Sequence, residues 1–147
     1  MKKSVFSIYS LTLLLLITAC NHSSAQKPEN WTKDQLVEPA DLANIIKSNK
    51  DIPVLISVGP GAIIPNSIDI GGVNEEANMT KFKQKLSELP KSSNIVIYCG
   101  CCPFARCPNV RPAIAYLQSE QFTDYHLLNI PNNIKTDWIS KGYPVTD

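Results

Sequence analysis

The sequence predicts an α/β domain with a mainly parallel sheet and helices on both faces. Two observations carry this. Short apolar runs at residues 52–58, 95–98 and 125–128 alternate with segments of helical periodicity. Strands that alternate with helices pair in parallel through right-handed crossovers. The first two runs are almost continuously apolar, as strands buried on both faces must be.

The elements follow in order. Glu38-Pro39-Ala40-Asp41 opens a helix whose Leu42, Ile45 and Ile46 form an i, i+3, i+4 apolar face. A buried strand follows at 52–58, and Gly59-Pro60-Gly61 breaks it. Residues 63–70 hold a turn and a short strand. Residues 79–89 read as a helix, with Phe82, Leu86 and Leu89 on one face and charges on the other. The second buried strand, 95–98, runs directly into Cys99. A helix is expected from about 110 to 117, then a strand at 125–128 and a last helix around 136–140. The 117 residues from Trp31 onward suit one domain with one core.

The first twenty residues read as a targeting segment. Lys2 and Lys3 give a positive start. The apolar stretch that follows is too short to span a bilayer as a permanent helix. It ends in Ile17-Thr18-Ala19-Cys20, which resembles the lipobox of bacterial lipoproteins. That resemblance implies diacylglycerylation of Cys20, cleavage before it, and a protein held in the cell envelope, facing the periplasm or exterior. Buried acyl chains contribute about 0.8 kcal/mol per CH₂, so two or three make a stable anchor. Residues 21–30 are polar and aperiodic, and read as a flexible tether. Loss of Lys2 and Lys3 turns the formal charge from +1 to about −1. With no basic patch, nucleic acid is excluded as a partner.

Of the five cysteines, Cys99, Cys101, Cys102 and Cys107 fall within nine residues. Disulfides that staple distant segments cannot come from such a cluster, so its chemistry is local. A thiol between the carboxyl end of a parallel strand and the start of a helix lies where α/β folds bind ligands. Backbone N–H groups and the helix dipole there favour anions and lower a thiol pKa.

Three segments resemble the rhodanese family. The strand-to-cysteine step Ile95-Val96-Ile97-Tyr98-Cys99 leads through a loop into a helix near Arg111. The ending Trp138-Ile139-Ser140-Lys141-Gly142-Tyr143-Pro144-Val145 matches the family's Trp, then Gly-Tyr-Pro-Val. Ile64-Pro65-Asn66-Ser67-Ile68-Asp69-Ile70 stands where the family has Ile-Pro-Gly-Ala-Ile-Asn-Ile. The resemblance spans the domain and implies a five-stranded, mainly parallel rhodanese-like α/β sheet. It further implies a sulfurtransferase that holds sulfur as a cysteine persulfide. Cys99 would be the nucleophile and Arg111 the anion clamp, with no cofactor. The partners would be a small sulfur-containing anion or persulfide donor and a thiol acceptor, such as one on another protein.

The departures are equally specific. The family's Asp-Val-Arg is here Ser57-Val58-Gly59-Pro60, and its Gly-His before Ile-Pro is missing. The usual Cys, four residues, Arg becomes eleven residues between Cys99 and Arg111. Two alternatives therefore stay open inside the loop. Cys101 with Arg106 keeps the usual spacing. Cys107 precedes Pro108-Asn109, where Asn109 would cap the helix and the dipole would act on the Cys107 thiol. Cys102 and Cys107 could pair as a shaping disulfide or serve as resolving thiols. A thiol–disulfide redox protein and a metal-binding or scaffolding domain are the competing functions. No metal is expected, because Cys-x-Cys-Cys-x4-Cys lacks two separated Cys-x-x-Cys knuckles. No Cys-x5-Arg phosphatase spacing occurs. Trp138 and Tyr143 read as packing, His126 as a structural histidine, and Lys135 and Asp137 as a solvated face. Asn129, Asn132 and Asn133 are candidates for lining the site.

Overall fold

The computed structural model describes residues 31–146. The leader, Cys20 and the tether, on which the anchoring expectation rests, lie outside the described residues. No helix among those described is long and apolar enough to cross a membrane.

Five strands form one sheet: β1 (Leu36–Val37), β2 (Val54–Ser57), β3 (Ile68–Asp69), β4 (Ile95–Tyr98) and β5 (Tyr125–Leu128). Their order is β1-β5-β4-β2-β3 and all four pairings are parallel. Three helices lie between strands, α1 (Pro39–Ser48), α2 (Glu76–Ser87) and α3 (Val110–Ser119), and α4 (Ile134–Asp137) follows β5. The expected sheet, with helices on both faces, is thus present, and it is wholly parallel.

The period-two alternation of β4 assigns its side chains to two cores. Ile95 and Ile97 pack with Phe82 and Leu86 of α2 and with Ala113, Ile114 and Leu117 of α3. Val96 and Tyr98 pack on the other face with Leu42 of α1 and with Ile134 and Trp138. Continuing the alternation by one step puts Cys99 on the α3 side, where its fully apolar neighbours include Val110. This parity, and not the loop, decides which helix the thiol meets.

Three elements differ from expectation. β1 carries no readable pattern, because two half-buried residues cannot show alternation. Its register, Leu36 with Leu127 and Val37 with Leu128, comes from the partner strand. α2 starts at Glu76, three residues early, since its first turn is polar and offers no periodicity to read. The last helix runs from Ile134 to Asp137 and then tightens into a 3₁₀ turn, Ile139–Lys141. Asn133 sets that earlier start by accepting the N–H of Thr136 at 2.9 Å.

The closing segment is packing, as expected. Trp138 is wholly buried, its indole N–H donates to the Pro144 carbonyl at 2.7 Å, and its ring meets Tyr143 edge-on at 5.2 Å. Gly142 turns the chain with φ of +71°, a conformation glycine adopts at no steric cost.

Candidate functional site

Cys99 stands at the carboxyl end of β4, the central strand. Neighbouring β2 ends at Ser57, whose buried hydroxyl donates to the Gly61 carbonyl at 2.9 Å. That bond shapes the Gly59-Pro60-Gly61 turn and lays Gly59 against the thiol. A Cβ on Gly59 would lie 2.5 Å from Cys99 Sγ. Gly59, in the Ser57-Val58-Gly59-Pro60 step, therefore has no room for a side chain, because the Cys99 sulfur occupies the space.

Beyond Cys99 the chain is pinned before it widens. The Ile134 N–H donates to the Gly100 carbonyl at 2.9 Å, and a Cβ on Gly100 would press on the Ile134 side chain at 2.9 Å. A 3₁₀ turn at Phe104–Arg106 follows, and the chain then enters α3 through Cys107, Pro108 and Asn109. The enlarged loop is thus a folded unit.

Its four thiols are free, and their sulfurs form a chain from core to surface. Cys107 and Cys99 are 1% and 2% exposed, Cys102 is half-buried, and Cys101 is exposed. The Cys107 thiol acts on Cys99 as the largest influence lowering its pKa. Cys99 Sγ lies 3.3 Å from Cys101 Sγ, which lies 3.4 Å from Cys102 Sγ. The closest sulfur pairs are therefore Cys99 with Cys101 and Cys101 with Cys102. The sulfurs of Cys99, Cys101 and Cys102 fall within 4.8 Å of one another, so these three are the residues that could hold a soft metal ion.

The charge on this chain sits at Cys99. Its pKa is held down at about 5, first by the Cys107 thiol, then by the Cys101 backbone N–H and thiol and by the Asn109 amide, against the opposing effect of burial. Cys107 is pushed up because it donates to that thiolate and is buried. Burial and the same thiolate push Cys101 up to about 12. The backbone N–H groups of Asn109 and Val110, at the start of α3, do point at Cys107, as expected from its position. The bond to Cys99 outweighs them and keeps Cys107 protonated. The helix start thus acts on Cys99 through Cys107, in a hydrogen-bonded series where each member polarises the next.

Asn109 departs from its expected role. It makes no side-chain cap and has helical backbone angles itself. Its Oδ1 instead accepts the Asn74 N–H at 3.0 Å while its Nδ2 faces Cys99 Sγ at 3.8 Å. A cap needs extended backbone, which the Pro108 entry does not give it. Of the two arginines, Arg106 is exposed at the end of the 3₁₀ turn. Arg111, half-buried in the first turn of α3, donates to the Ala105 carbonyl at 3.0 Å and so ties the loop to the helix.

The asparagines proposed to line the site bond elsewhere, Asn129 to the start of α1 and Asn132 and Asn133 within their own turn. Asn129 donates to Glu38 at 2.8 Å, and Asn132 donates to Asp137 at 2.9 Å. Asp137 also accepts the backbone N–H groups of Asn132 and Asn133, so it closes this turn and is not a bare solvated residue. A shallow cleft of about 250 Å³ between Glu38, Asn129, Asp137 and Tyr143 contains none of the cysteines. His126 lies on β5 with its Nδ1 3.7 Å from Asp124, away from the thiols.

Gly59 and Asn109 escaped the sequence reading as site residues. Gly59 carried a signal, the missing Asp-Val-Arg, but only its approach to Cys99 explains it.

No family model matches the chain, and no curated protein is similar to it. Solved structures are. A protein from Bacillus halodurans is 21% identical, with TM-score 0.58 over 77% of each chain. The rhodanese-like domain of a protein from Anabaena sp. is 15% identical, with TM-score 0.54 over 76% of this chain and 78% of that one. A single-domain sulfurtransferase from Saccharomyces cerevisiae is 16% identical, with TM-score 0.54 over 78% of this chain and 95% of that one. The class the fold defines is therefore the rhodanese-like α/β domain, here carrying a folded loop of four thiols.

Proposed function

We propose that this protein is a sulfurtransferase that holds sulfane sulfur as a persulfide on Cys99, and that Cys20 anchors it in the cell envelope. The observation that carries the reading is the placement of a thiol with its pKa near 5 at the end of the central strand of a rhodanese-like fold. At neutral pH this sulfur is a thiolate and needs no separate base. It attacks the outer sulfur of thiosulfate or of a persulfide. The new bond joins Cys99 Sγ to that sulfur, and the donor's S–S pair leaves with sulfite or with the donor thiolate. The partners are then a small sulfur-containing anion or persulfide and a thiol acceptor.

Anaerobic incubation of the reduced domain with thiosulfate, followed by intact-mass and peptide mass spectrometry, tests this. One added sulfur on Cys99 is expected. Fully reduced protein that takes up none would overturn the reading.

A second reading has its own support in the 3.3 Å between Cys99 and Cys101 sulfurs, a separation short enough for a reversible disulfide. A reduction potential below about −300 mV would mark that bond as structural and exclude a redox role.

A further inference from the structure

We propose that Cys101 is a sulfur relay, receiving the outer sulfur from the Cys99 persulfide and presenting it to thiol acceptors too bulky to reach Cys99. The inference rests on the sulfurtransferase reading and concerns how sulfur leaves.

Burial sets the problem. Cys99 is 2% exposed, with Gly59 packed against its sulfur on one side and Asn109 and Cys107 on others. A thiol on another protein cannot approach that atom. Cys101 is exposed and its sulfur is already 3.3 Å away. Sulfur added to Cys99 extends the side chain by about one S–S bond, 2 Å. Placed between the two residues, it sets three sulfurs in line, with Cys101 yielding outward. Cys101 is the member able to yield, because it is exposed while Cys99 is enclosed.

The exchange balances without an oxidant. Cys101 passes its proton to the terminal sulfur of the Cys99 persulfide, and the thiolate so formed attacks that sulfur. A Cys101–S bond forms, the bond from that sulfur to Cys99 Sγ breaks, and the electron pair returns to Cys99. The products are a Cys99 thiolate and a Cys101 persulfide. Direction follows from the leaving group, since the thiolate with the lower pKa departs faster. Cys99 is the best leaving group in the cluster because Cys107, Cys101 and Asn109 all stabilise its charge.

The test follows one added sulfur. Reduced protein is loaded anaerobically with one equivalent of thiosulfate, quenched in denaturant with an alkylating agent, and mapped by peptide mass spectrometry. In parallel, the loaded protein is offered cyanide, a small acceptor, or reduced thioredoxin, a protein thiol. In the unmodified protein the added sulfur is expected on both Cys99 and Cys101. In Cys101→Ser it is expected on Cys99 alone, with the ratio of thioredoxin to cyanide transfer reduced at least about tenfold. Cys102→Ser should keep sulfur on Cys101 and keep the ratio. An unchanged ratio in Cys101→Ser overturns the relay, as does a Cys99–Cys101 disulfide with release of sulfide. Protein that takes up no sulfur at all is a different result and removes the sulfurtransferase reading itself.

Discussion

The cysteine loop and the closing segment touch each other, yet they are stabilised in opposite ways. Ile134, the first residue of α4, donates to Gly100 within the loop and fills the space a side chain there would need, so the two regions share a boundary. On one side, Trp138 and Tyr143 bury aromatic surface with the indole N–H satisfied. On the other, a buried thiol, Cys107, and an exposed one, Cys101, flank the charge on the buried Cys99 sulfur. The closing segment lowers free energy by packing that any similar aromatic pair would repeat. The loop spends burial on keeping one sulfur ionised, which packing alone opposes. The proposed function accordingly lies on one side of the boundary and aromatic packing on the other.

That division can be broken at either side. The largest effect is expected from Cys99→Ser, which removes the nucleophile. Sulfur uptake should fall to background while the denaturation midpoint moves little, as read by intact mass and urea unfolding. Trp138→Ala should do the reverse. It deletes a fully buried aromatic and should cost about 3–5 kcal/mol of stability, with the persulfide still forming on Cys99 in whatever fraction stays folded. A Trp138→Ala protein of native stability would break the comparison.

Gly59→Ala tests the contact between the β2 turn and the nucleophile. The added carbon must displace Cys99 Sγ or the turn, because it falls 2.5 Å from that sulfur. Uptake should drop about tenfold or more from misplacement, with about 1–3 kcal/mol lost to overpacking. A smaller effect sharpens the electrostatics. Cys99 has its pKa lowered, so its thiolate persists above about pH 5 and is lost as pH falls through that value. Alkylation of Cys99 should therefore follow a midpoint near 5. Cys107→Ala removes the largest stabilising bond and should move the midpoint upward, measurably slowing alkylation at pH 6. A midpoint left at 5 would mean that Cys107 does not hold the charge. Asn109→Ala should shift it in the same direction by less, since its amide stands 3.8 Å from the sulfur.

Legibility follows the same boundary. Trp138, Gly142 and Tyr143 could be placed from the sequence because their roles are local, an aromatic pair five residues apart and a glycine turn. The helices α1 and α3 and the strands β2, β4 and β5 were readable for the same reason, and the rhodanese-like fold with them. β1 was not, because two residues hold no period and the strand exists through its pairing to β5. Asn109 was assigned a cap on position alone. Its actual partners, Asn74 and Cys99, are 35 and 10 residues away along the chain.

By itself, the sequence determined an α/β order of elements, a thiol at the end of a buried strand, and a loop longer than the rhodanese pattern it resembles. The tertiary structure alone decided which thiol carries charge. Strand parity turns Cys99 toward α3, the β2 turn brings Gly59 against it, and the loop folds Cys107 and Cys101 onto its sulfur. The reason is physical: periodicity and turn preferences act between residues a few positions apart. A pKa depends on every group within a few ångströms, however far along the chain it lies.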